Sequence, residues 1–258
     1  MKLTGNTILI TGGGSGIGEE MARQLLKRNN TVIVTGRSKS KLDQFKKQFP
    51  EVTTIISDVS QVTQIQALYD NVTQEFPHLN ILINNAGIMK SINFHDSSLE
   101  IETLTDEIDI NLKGPIRMAK VFLPHLKKKN SAAIMNVSSG LAFVPLPASP
   151  IYSATKAALH SFTESLRVQL SKTQVKVFEL APPATRTELL KMDSEDMKRI
   201  KIMSVEDMVK DALIGMENDK YEIRPGQSNH LKILSRVAPQ FILKQMSTSM
   251  ERLLKETH

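Results

Sequence analysis

The chain has no cysteine and no tryptophan, and aromatic residues make up only 5% of its 258 positions. The missing thiol excludes disulfides, Cys-ligated zinc and a cysteine nucleophile. Acidic residues are the minority charge, 27 against 33 Lys and Arg, which leaves a net charge of +6 and favours anionic ligands. That excess is spread along the chain. No Arg/Lys block is interleaved with aromatics, which argues against a nucleic-acid partner. The triple lysine at 127–129 reads as a helix end, where cations suit the helix dipole. Long apolar runs are also missing. The run Ile8–Ile10 is three residues long and passes straight into glycines, unlike a signal peptide. No stretch approaches the roughly 20 apolar residues of a membrane span. The expectation is a soluble, cytoplasmic protein. The histidines (His78, His95, His125, His160, His230 and His258) show no metal-ligand spacing, so no metal is expected.

What the sequence does contain is alternation. Short β-branched runs stand at TILIT (7–11), TVIVT (31–35), VTTIIS (52–57), NILIN (80–84), AAIMNV (132–137) and VKVFEL (175–180), and YEIRP (221–225) reads as a last strand. Helical spacing fills the intervals, as at Glu19–Arg28, Lys39–Gln48, Val62–Phe76 and Leu104–Leu126, and SVED (204–207) reads as a capping box. Strands separated by helix-length crossovers point to an α/β fold whose parallel sheet is covered on both faces. No linker, composition shift or repeat divides the chain. We therefore expect one domain over 1–258: a doubly wound, Rossmann-type sheet of about seven strands flanked by helices, with a helical C-terminal tail.

TGGGSGIG (11–18) directly follows the first strand and opens the first helix. Its glycines permit a tight turn and close backbone approach, and the helix N-terminus offers N–H groups and a positive dipole end to a pyrophosphate. Thr11, Gly12, Gly14, Ser15, Gly16, Ile17 and Gly18 are candidate dinucleotide contacts. An NAD-preferring fold usually ends its second strand on an acid that takes the ribose hydroxyls. Here Gly36 and Arg37 stand at that place. The missing carboxylate removes repulsion against a 2′-phosphate, and Arg37 can pair with it. With Ser38, Lys39 and Lys41 adding to the local field, NADP(H) is favoured over NAD(H).

YSATK (152–156) puts a phenol and an ammonium one helical turn apart. A free tyrosine has a pKa of about 10, too high for a base near neutrality, and a lysine at i+4 favours the phenolate. The intervening Ser153 and Ala154 are small enough to let ligands approach. Ser138 and Ser139 are adjacent, and spacing within this sequence does not choose between them.

In order, TGGGSGIG, DV (58–59), NNAG (84–87), IN (110–111), NVSSG (136–140) and YSATK resemble the short-chain dehydrogenases/reductases over nearly the full length. The resemblance implies that Tyr152 is the general acid/base and that Lys156 binds the nicotinamide ribose and lowers the tyrosine's pKa. It implies further that Ser139 binds the reacting carbonyl and that Asn111 holds a water in the proton path. Asp58 and Val59 would then sit at the adenine, while Asn84, Asn85, Ala86 and Gly87 line the cofactor's floor. APPATRT (181–187) matches the family's nicotinamide-wrapping segment, with Pro182 and Thr187 as contacts, but Pro183 stands where glycine is usual. Proline stiffens that loop and removes one N–H donor. This Pro-Pro variant is similar to that of a bacterial subgroup, the DltE-type oxidoreductases. A homodimer or homotetramer is implied by the same resemblance.

Met89, Ile92, Phe94 and His95, just after the fourth strand, are candidate substrate neighbours. His160 is expected to serve packing or a subunit contact. Segment 188–203 is rich in Met and Leu and is expected to cover the site as a lid, which points to a hydrophobic substrate; a plain surface helix is the competing reading. The tail 228–256 looks amphipathic, with apolar Leu231, Leu234, Val237, Phe241, Ile242 and Met246 and a break at Pro239. Its basic residues Lys232, Arg236, Lys244, Arg252 and Lys255 would suit peripheral contact with an anionic membrane, although packing on the pocket or on a second subunit is favoured. The sequence reads as an oxidoreductase that moves a hydride between NADP(H) and a carbonyl/alcohol pair of a small to medium, hydrophobic substrate. The alternative is a dinucleotide-binding regulatory or membrane-peripheral protein with little activity.

Overall fold

The first strand, β1 (Thr7–Thr11), is buried along its whole length, which explains why it reads as an unbroken apolar run rather than an alternating one. The computed structural model describes residues 1–189 and 202–255, with side chains as far as Ser247. The expected lid, 188–203, lies almost wholly outside the described residues. Seven strands form one parallel sheet in the order β3-β2-β1-β4-β5-β6-β7. They are β1, β2 (Thr31–Gly36), β3 (Thr53–Ile56), β4 (Leu79–Asn84), β5 (Ala132–Val137), β6 (Val175–Leu180) and β7 (Glu222–Ile223).

Alternation within β1 sends side chains to two separate cores. Ile8 and Ile10 join Met21 and Leu25 of α1 (Gly16–Leu26), Leu42 and Phe45 of α2 (Lys39–Gln48), and Met208 and Leu213 of the helix Val205–Glu217. Leu9 joins Ile65 and Leu68 of α3 (Val62–Glu75), Phe122 of the helix Gly114–Leu126, and Leu166 of the helix Pro150–Gln169. Full burial of a side chain such as Phe122 contributes about 1.5–3 kcal/mol. Among the described residues no helix is long and apolar enough to cross a membrane.

Two sequence expectations are corrected. The helix expected over Leu104–Leu126 is broken into α4 (Ile101–Leu104), α5 (Asp106–Ile108), a π turn at Asp109–Lys113 and α6 (Gly114–Leu126). Pro115 has no N–H to give to the Asn111 carbonyl four residues back, so the α pattern cannot run through. Gly114 lets α6 close on the sheet edge, because a Cβ there would lie 2.9 Å from Val59 Cγ2. The last strand is two residues long rather than five. Pro225 cannot extend the ladder, and Gly226 at φ +51° turns the chain away.

Beyond α7 (Pro150–Gln169) come α8 (Val205–Glu217), α9 (Ser228–Val237) and α10 (Pro239–Lys255). Ser204 caps α8, its hydroxyl accepting the Asp207 N–H at 3.1 Å. The tail breaks at Pro239, the first residue of α10.

Candidate active site

The chain leaves β1 for β2 on one side of the sheet and later crosses to β4 on the other, so the loops at the carboxyl ends of β1 and β4 diverge around a crevice. In open α/β sheets this is where ligands bind. Here it opens into a cleft of about 1310 Å³, larger than the roughly 300–1,000 Å³ of an ordinary small-molecule pocket. Its walls include Gly12, Gly14, Ser15, Gly16 and Ile17 from the first loop and Asn85, Ala86 and Gly87 from the fourth. The two loops clamp each other. Thr11 Oγ1 accepts the N–H groups of Asn85 and Ala86 at 3.0 and 3.1 Å, and Asn85 Nδ2 donates to the Thr11 and Gly12 carbonyls at 3.0 Å. Thr11 and Gly18, expected as direct contacts, stand behind the wall and shape it. Gly12 and Gly16 adopt φ +65° and +57°, which only glycine takes without strain. The N-cap of α1, Ser15, makes no side-chain cap bond, so the first-turn N–H groups meet the cleft without a competing hydroxyl. This cradle fits a pyrophosphate.

At the far end, Arg37, Ser38, Asp58 and Val59 line the cleft as expected. Arg37 is 58% exposed and only loosely paired, its Nη1 lying 3.8 Å from Asp58 Oδ2. The supporting charges are not where the sequence suggested. Lys39 pairs with Asp43 at 2.6 Å and Lys41 with Glu188, while Ser38 caps α2. Among the described residues, Arg37 is therefore the cation there that lacks a tight acidic partner.

At the inner end Ser139, Tyr152 and Lys156 converge on the cleft. Ser139 caps a short 3₁₀ turn (Gly140–Ala142), and its hydroxyl accepts the Leu141 N–H at 3.1 Å and lies near enough to the Tyr152 phenol to hold its pKa down. Ser138 points the other way. It is buried, and its hydroxyl donates to Glu179 and to the Leu180 carbonyl. Both serines border the cleft, but their hydroxyls have different partners. Lys156 Nζ lies 5.5 Å from the Tyr152 ring centre and donates to the Val137 carbonyl at 2.9 Å. Asn111 stands one layer deeper, fully buried. Its amide accepts the Ile88 N–H at 2.9 Å and donates to the Ile88 carbonyl at 2.8 Å, and it reaches Thr155.

Three further expectations are corrected here. Ser153 and Ala154 do not face the cleft. On a helix they turn away from the Tyr152/Lys156 side: Ser153 is buried and bonds the Ser149 carbonyl and Leu146 N–H, and Ala154 is exposed. Of the residues after β4, Met89 lines the cleft, whereas Ile92 is buried against Ala148, and Phe94 and His95 are exposed. The lysine does not dominate the tyrosine's acidity. Burial pushes the Tyr152 phenol up to about 12, the Ser139 hydroxyl pulling against this and the Glu107 charge adding to it. Burial also pulls the Lys156 ammonium down to about 8, against the Glu107 charge.

The segment after β6 closes the floor. The Gly140 N–H donates to the Pro182 carbonyl at 2.8 Å, and the hydroxyl of buried Thr185 donates to the Pro183 carbonyl. Thr187 leans on the glycine loop, 3.3 Å from where a Gly16 Cβ would stand. The substrate side is walled by the tail: Leu231, Leu234, Ile242 and Met246 line the cleft opposite Leu141 and Leu146. Val237 and Phe241 are exposed instead. Lys232, counted above among cations free for a membrane, is buried on α9 and paired with Glu222.

One cluster was not read from the sequence. His160 Nδ1 lies 2.7 Å from Glu179 Oε2, and Glu222 completes a group whose ligand-type atoms all lie within 4.8 Å. Lys232 already supplies the cation there, so the group reads as an ion-pair network. The signal was a glutamate inside an apolar strand, VKVFEL. The Glu179 bond raises the His160 pKa above 6.5. A raised folded-state value means that the pair's stability is fully present below the unfolded pKa and is lost as pH rises through the folded one. The melting-temperature gap between the protein and His160→Gln is therefore expected to be widest below about pH 6.5 and to narrow as the pH rises above it. A gap that is flat across that range would remove the ion pair from the account.

Residues 6–198 match the family model described as short chain dehydrogenase. The chain is 43% identical over 250 residues to an uncharacterized oxidoreductase, DltE, of Bacillus subtilis (strain 168), covering 96% of this chain and 99% of that one. Among solved structures it is similar to a short chain dehydrogenase from Burkholderia cenocepacia J2315 in complex with NADP (TM-score 0.81, 25% identity, 95% and 99% covered). It is also similar to a 3-ketoacyl-(acyl-carrier-protein) reductase from Brucella melitensis complexed with NADH (TM-score 0.77, 28% identity, 83% and 91% covered).

Proposed function

The chain belongs to the short-chain dehydrogenase family and is an NAD(P)-dependent oxidoreductase, and within that class we propose an NADP(H)-linked reductase of small to medium, apolar carbonyl compounds. The observation that carries this reading is the convergence of the Tyr152 phenol, the Ser139 hydroxyl and the Lys156 ammonium at the inner end of the glycine-loop cleft.

The residues fit a dinucleotide along the whole cleft: the Gly12–Gly18 cradle for the pyrophosphate, Asp58 and Val59 at the adenine, Asn85–Gly87 beneath it, and Lys156 and Thr187 at the nicotinamide end. Bound there, the dinucleotide supplies the hydride. The chain's own part is the proton. With its pKa pushed up to about 12, Tyr152 is a phenol at neutral pH, the form that donates to a carbonyl oxygen during reduction. Ser139 holds that oxygen and stabilises the charge developing on it. Lys156 stands by as the cation facing the phenolate that remains. Asn111 fixes the Ile88 backbone beside them. The apolar wall of Leu141, Leu146, Leu231, Leu234, Ile242 and Met246 favours a hydrophobic substrate. A cytoplasmic setting and a homodimer or homotetramer belong to the same reading.

The cofactor preference rests on Arg37. With no acid ending β2 and no tight partner for the guanidinium among the described residues, a 2′-phosphate gains a charge-assisted contact that a ribose hydroxyl does not. Titration with NADPH and NADH, followed by nicotinamide fluorescence, is expected to show NADPH binding at least tenfold tighter, about 1.4 kcal/mol. Equal or tighter NADH binding overturns this assignment and redirects the substrate screen to NAD-linked alcohols.

A further inference from the structure

Glu107 is the second residue of α5, just before the π turn, and its side chain is fully buried. Neither the cradle nor the apolar cores account for a carboxyl there. One oxygen, Oε1, accepts the Lys90 backbone N–H at 3.0 Å, and Oε2 has no hydrogen-bond partner among the described residues. The helix it stands on packs against α7, the helix of Tyr152 and Lys156. Burying an acid with half its acceptor capacity unused is costly unless a charge nearby offsets it: burial pushes the Glu107 carboxyl up from its ordinary range, the Asp106 charge adding to this, and the Lys90 N–H with the Lys90 and Lys156 charges pulls against it.

That charge is at hand. Lys156 is 3% exposed, and among the described residues its ammonium donates to one backbone carbonyl, too little by itself to hold a cation in a low-dielectric site. Glu107 is the charged side chain that opposes the fall of the Lys156 pKa, and it also adds to the rise of Tyr152. The other charged groups around Glu107 are otherwise occupied. The Lys90 ammonium lies 2.9 Å from Asp106 Oδ2 and from the Thr103 carbonyl, so that pair neutralises itself at the edge. Asn111, four residues after Glu107, donates to Thr155 Oγ1 at 3.3 Å, so this stretch packs on the part of α7 that carries Tyr152 and Lys156.

We propose that Glu107 is the buried counter-charge of the Tyr152–Lys156 pair, a positioning residue that keeps the lysine an ammonium and the tyrosine a phenol. The proposal rests on Tyr152 being the proton donor. In each reduction the phenol O–H bond breaks and the proton passes to the substrate oxygen, leaving a phenolate that must recover a proton before the next turn. A negative charge behind the pair raises the proton affinity of both groups, so it favours that recovery. It also sets the upper pH limit of reduction, because both groups must carry their protons for the step to begin.

The composition supplies a probe that needs no substrate. With no tryptophan and three tyrosines, Tyr69, Tyr152 and Tyr221, tyrosinate absorbance in the ultraviolet can be followed residue by residue. Subtracting the Tyr152→Phe protein isolates the Tyr152 increment, and a rapid pH jump reads it before alkaline unfolding. Glu107→Gln keeps the shape and a bond to Lys90 while removing the charge; Glu107→Met fills the space without polar atoms. Both are expected to move the Tyr152 increment to lower pH by about one unit, a tenfold fall in proton affinity, and Glu107→Asp is expected to stay nearer the parent. An increment that does not move in Glu107→Gln overturns the proposal, as does one that moves only in Glu107→Met, which would assign the effect to packing. Should Glu107→Gln fail to fold, Glu107→Met read against Glu107→Asp makes the same decision. If Tyr152→Phe itself turns over a carbonyl substrate normally, the proton-donor reading fails first. If Tyr152→Phe is inactive and the increment stays put, only the role of Glu107 falls.

Discussion

Tyr152→Phe is expected to bind the dinucleotide as the parent does and to lose about 10²–10⁴ in turnover, the usual contribution of a positioned general acid. At 1.36 kcal/mol per factor of ten, that corresponds to roughly 3–5 kcal/mol of barrier. The substitution removes one oxygen and little else. The ring stays in its buried seat on α7, near the Lys156 ammonium. Ser139 keeps its bond to the Leu141 N–H, and Lys156 keeps its bond to the Val137 carbonyl. Losing one hydroxyl changes stability by about 1 kcal/mol, so the fold and the glycine cradle persist. Nicotinamide fluorescence checks the binding half, and single-turnover oxidation of NADPH with an aldehyde probe checks the chemical half. Retained turnover would transfer the proton to another donor. Lost dinucleotide binding would make the tyrosine a wall residue instead.

How far the sequence carried is a question of range. Six of the strands are legible because each is a short, largely apolar or β-branched run, buried along most of its length in all but the half-exposed edge strand β3; the seventh is over-read because Pro225 ends it early. The cradle and the Tyr152/Lys156 pair are legible because they are local, a turn of eight residues and a spacing of i+4. Face assignment within YSATK was not, since the small residues between the pair look like room for a ligand until helical rotation turns them away. Partnerships across the chain leave no such trace. Ser138 meets Glu179 from 41 residues away and His160 meets it from 19, and nothing in either stretch announces the other. Lys39 and Lys41 look like free cations beside Arg37 because their acids, Asp43 and Glu188, come from another turn and another loop. The acidity of Tyr152 is the strongest case: spacing sees the ammonium, whereas the value depends on burial and on Glu107, which only the packing of α5 on α7 brings within range.

Gly18→Ala is expected to abolish measurable dinucleotide binding and to lower the melting temperature by several degrees. A Cβ at this position would stand 2.4 Å from both the Gly12 carbonyl oxygen and Asn85 Nδ2, and 3.0 Å from the Gly12 carbonyl carbon. Something has to move, and each neighbour is held. Asn85 Nδ2 is fixed by the Thr11 and Gly12 carbonyls at 3.0 Å. Gly12 sits at φ +65°, and its own Cβ position is already only 2.8 Å from Ala86 Cα, so the turn cannot retreat towards β4. The N-terminus of α1 must therefore lift away from the turn, which pulls the first-turn N–H groups off the place where a pyrophosphate would lie. Overpacking of this kind costs about 1–3 kcal/mol, and a domain of this size loses roughly 2–4 °C per kcal/mol. Gly14→Ala is the matched control for stability. Its Cβ would meet Leu42 at 3.4 Å and Lys41 Cβ at 3.5 Å, near ordinary contact, so its melting temperature is expected to stay with the parent. If Gly18→Ala melts and binds like the parent, the clamp between the first and fourth loops is softer than its hydrogen bonds imply, and the cradle owes its shape to the ligand. If Gly18→Ala alone fails, the cradle is preformed by the chain, and α1 holds its N–H groups in place before any dinucleotide arrives.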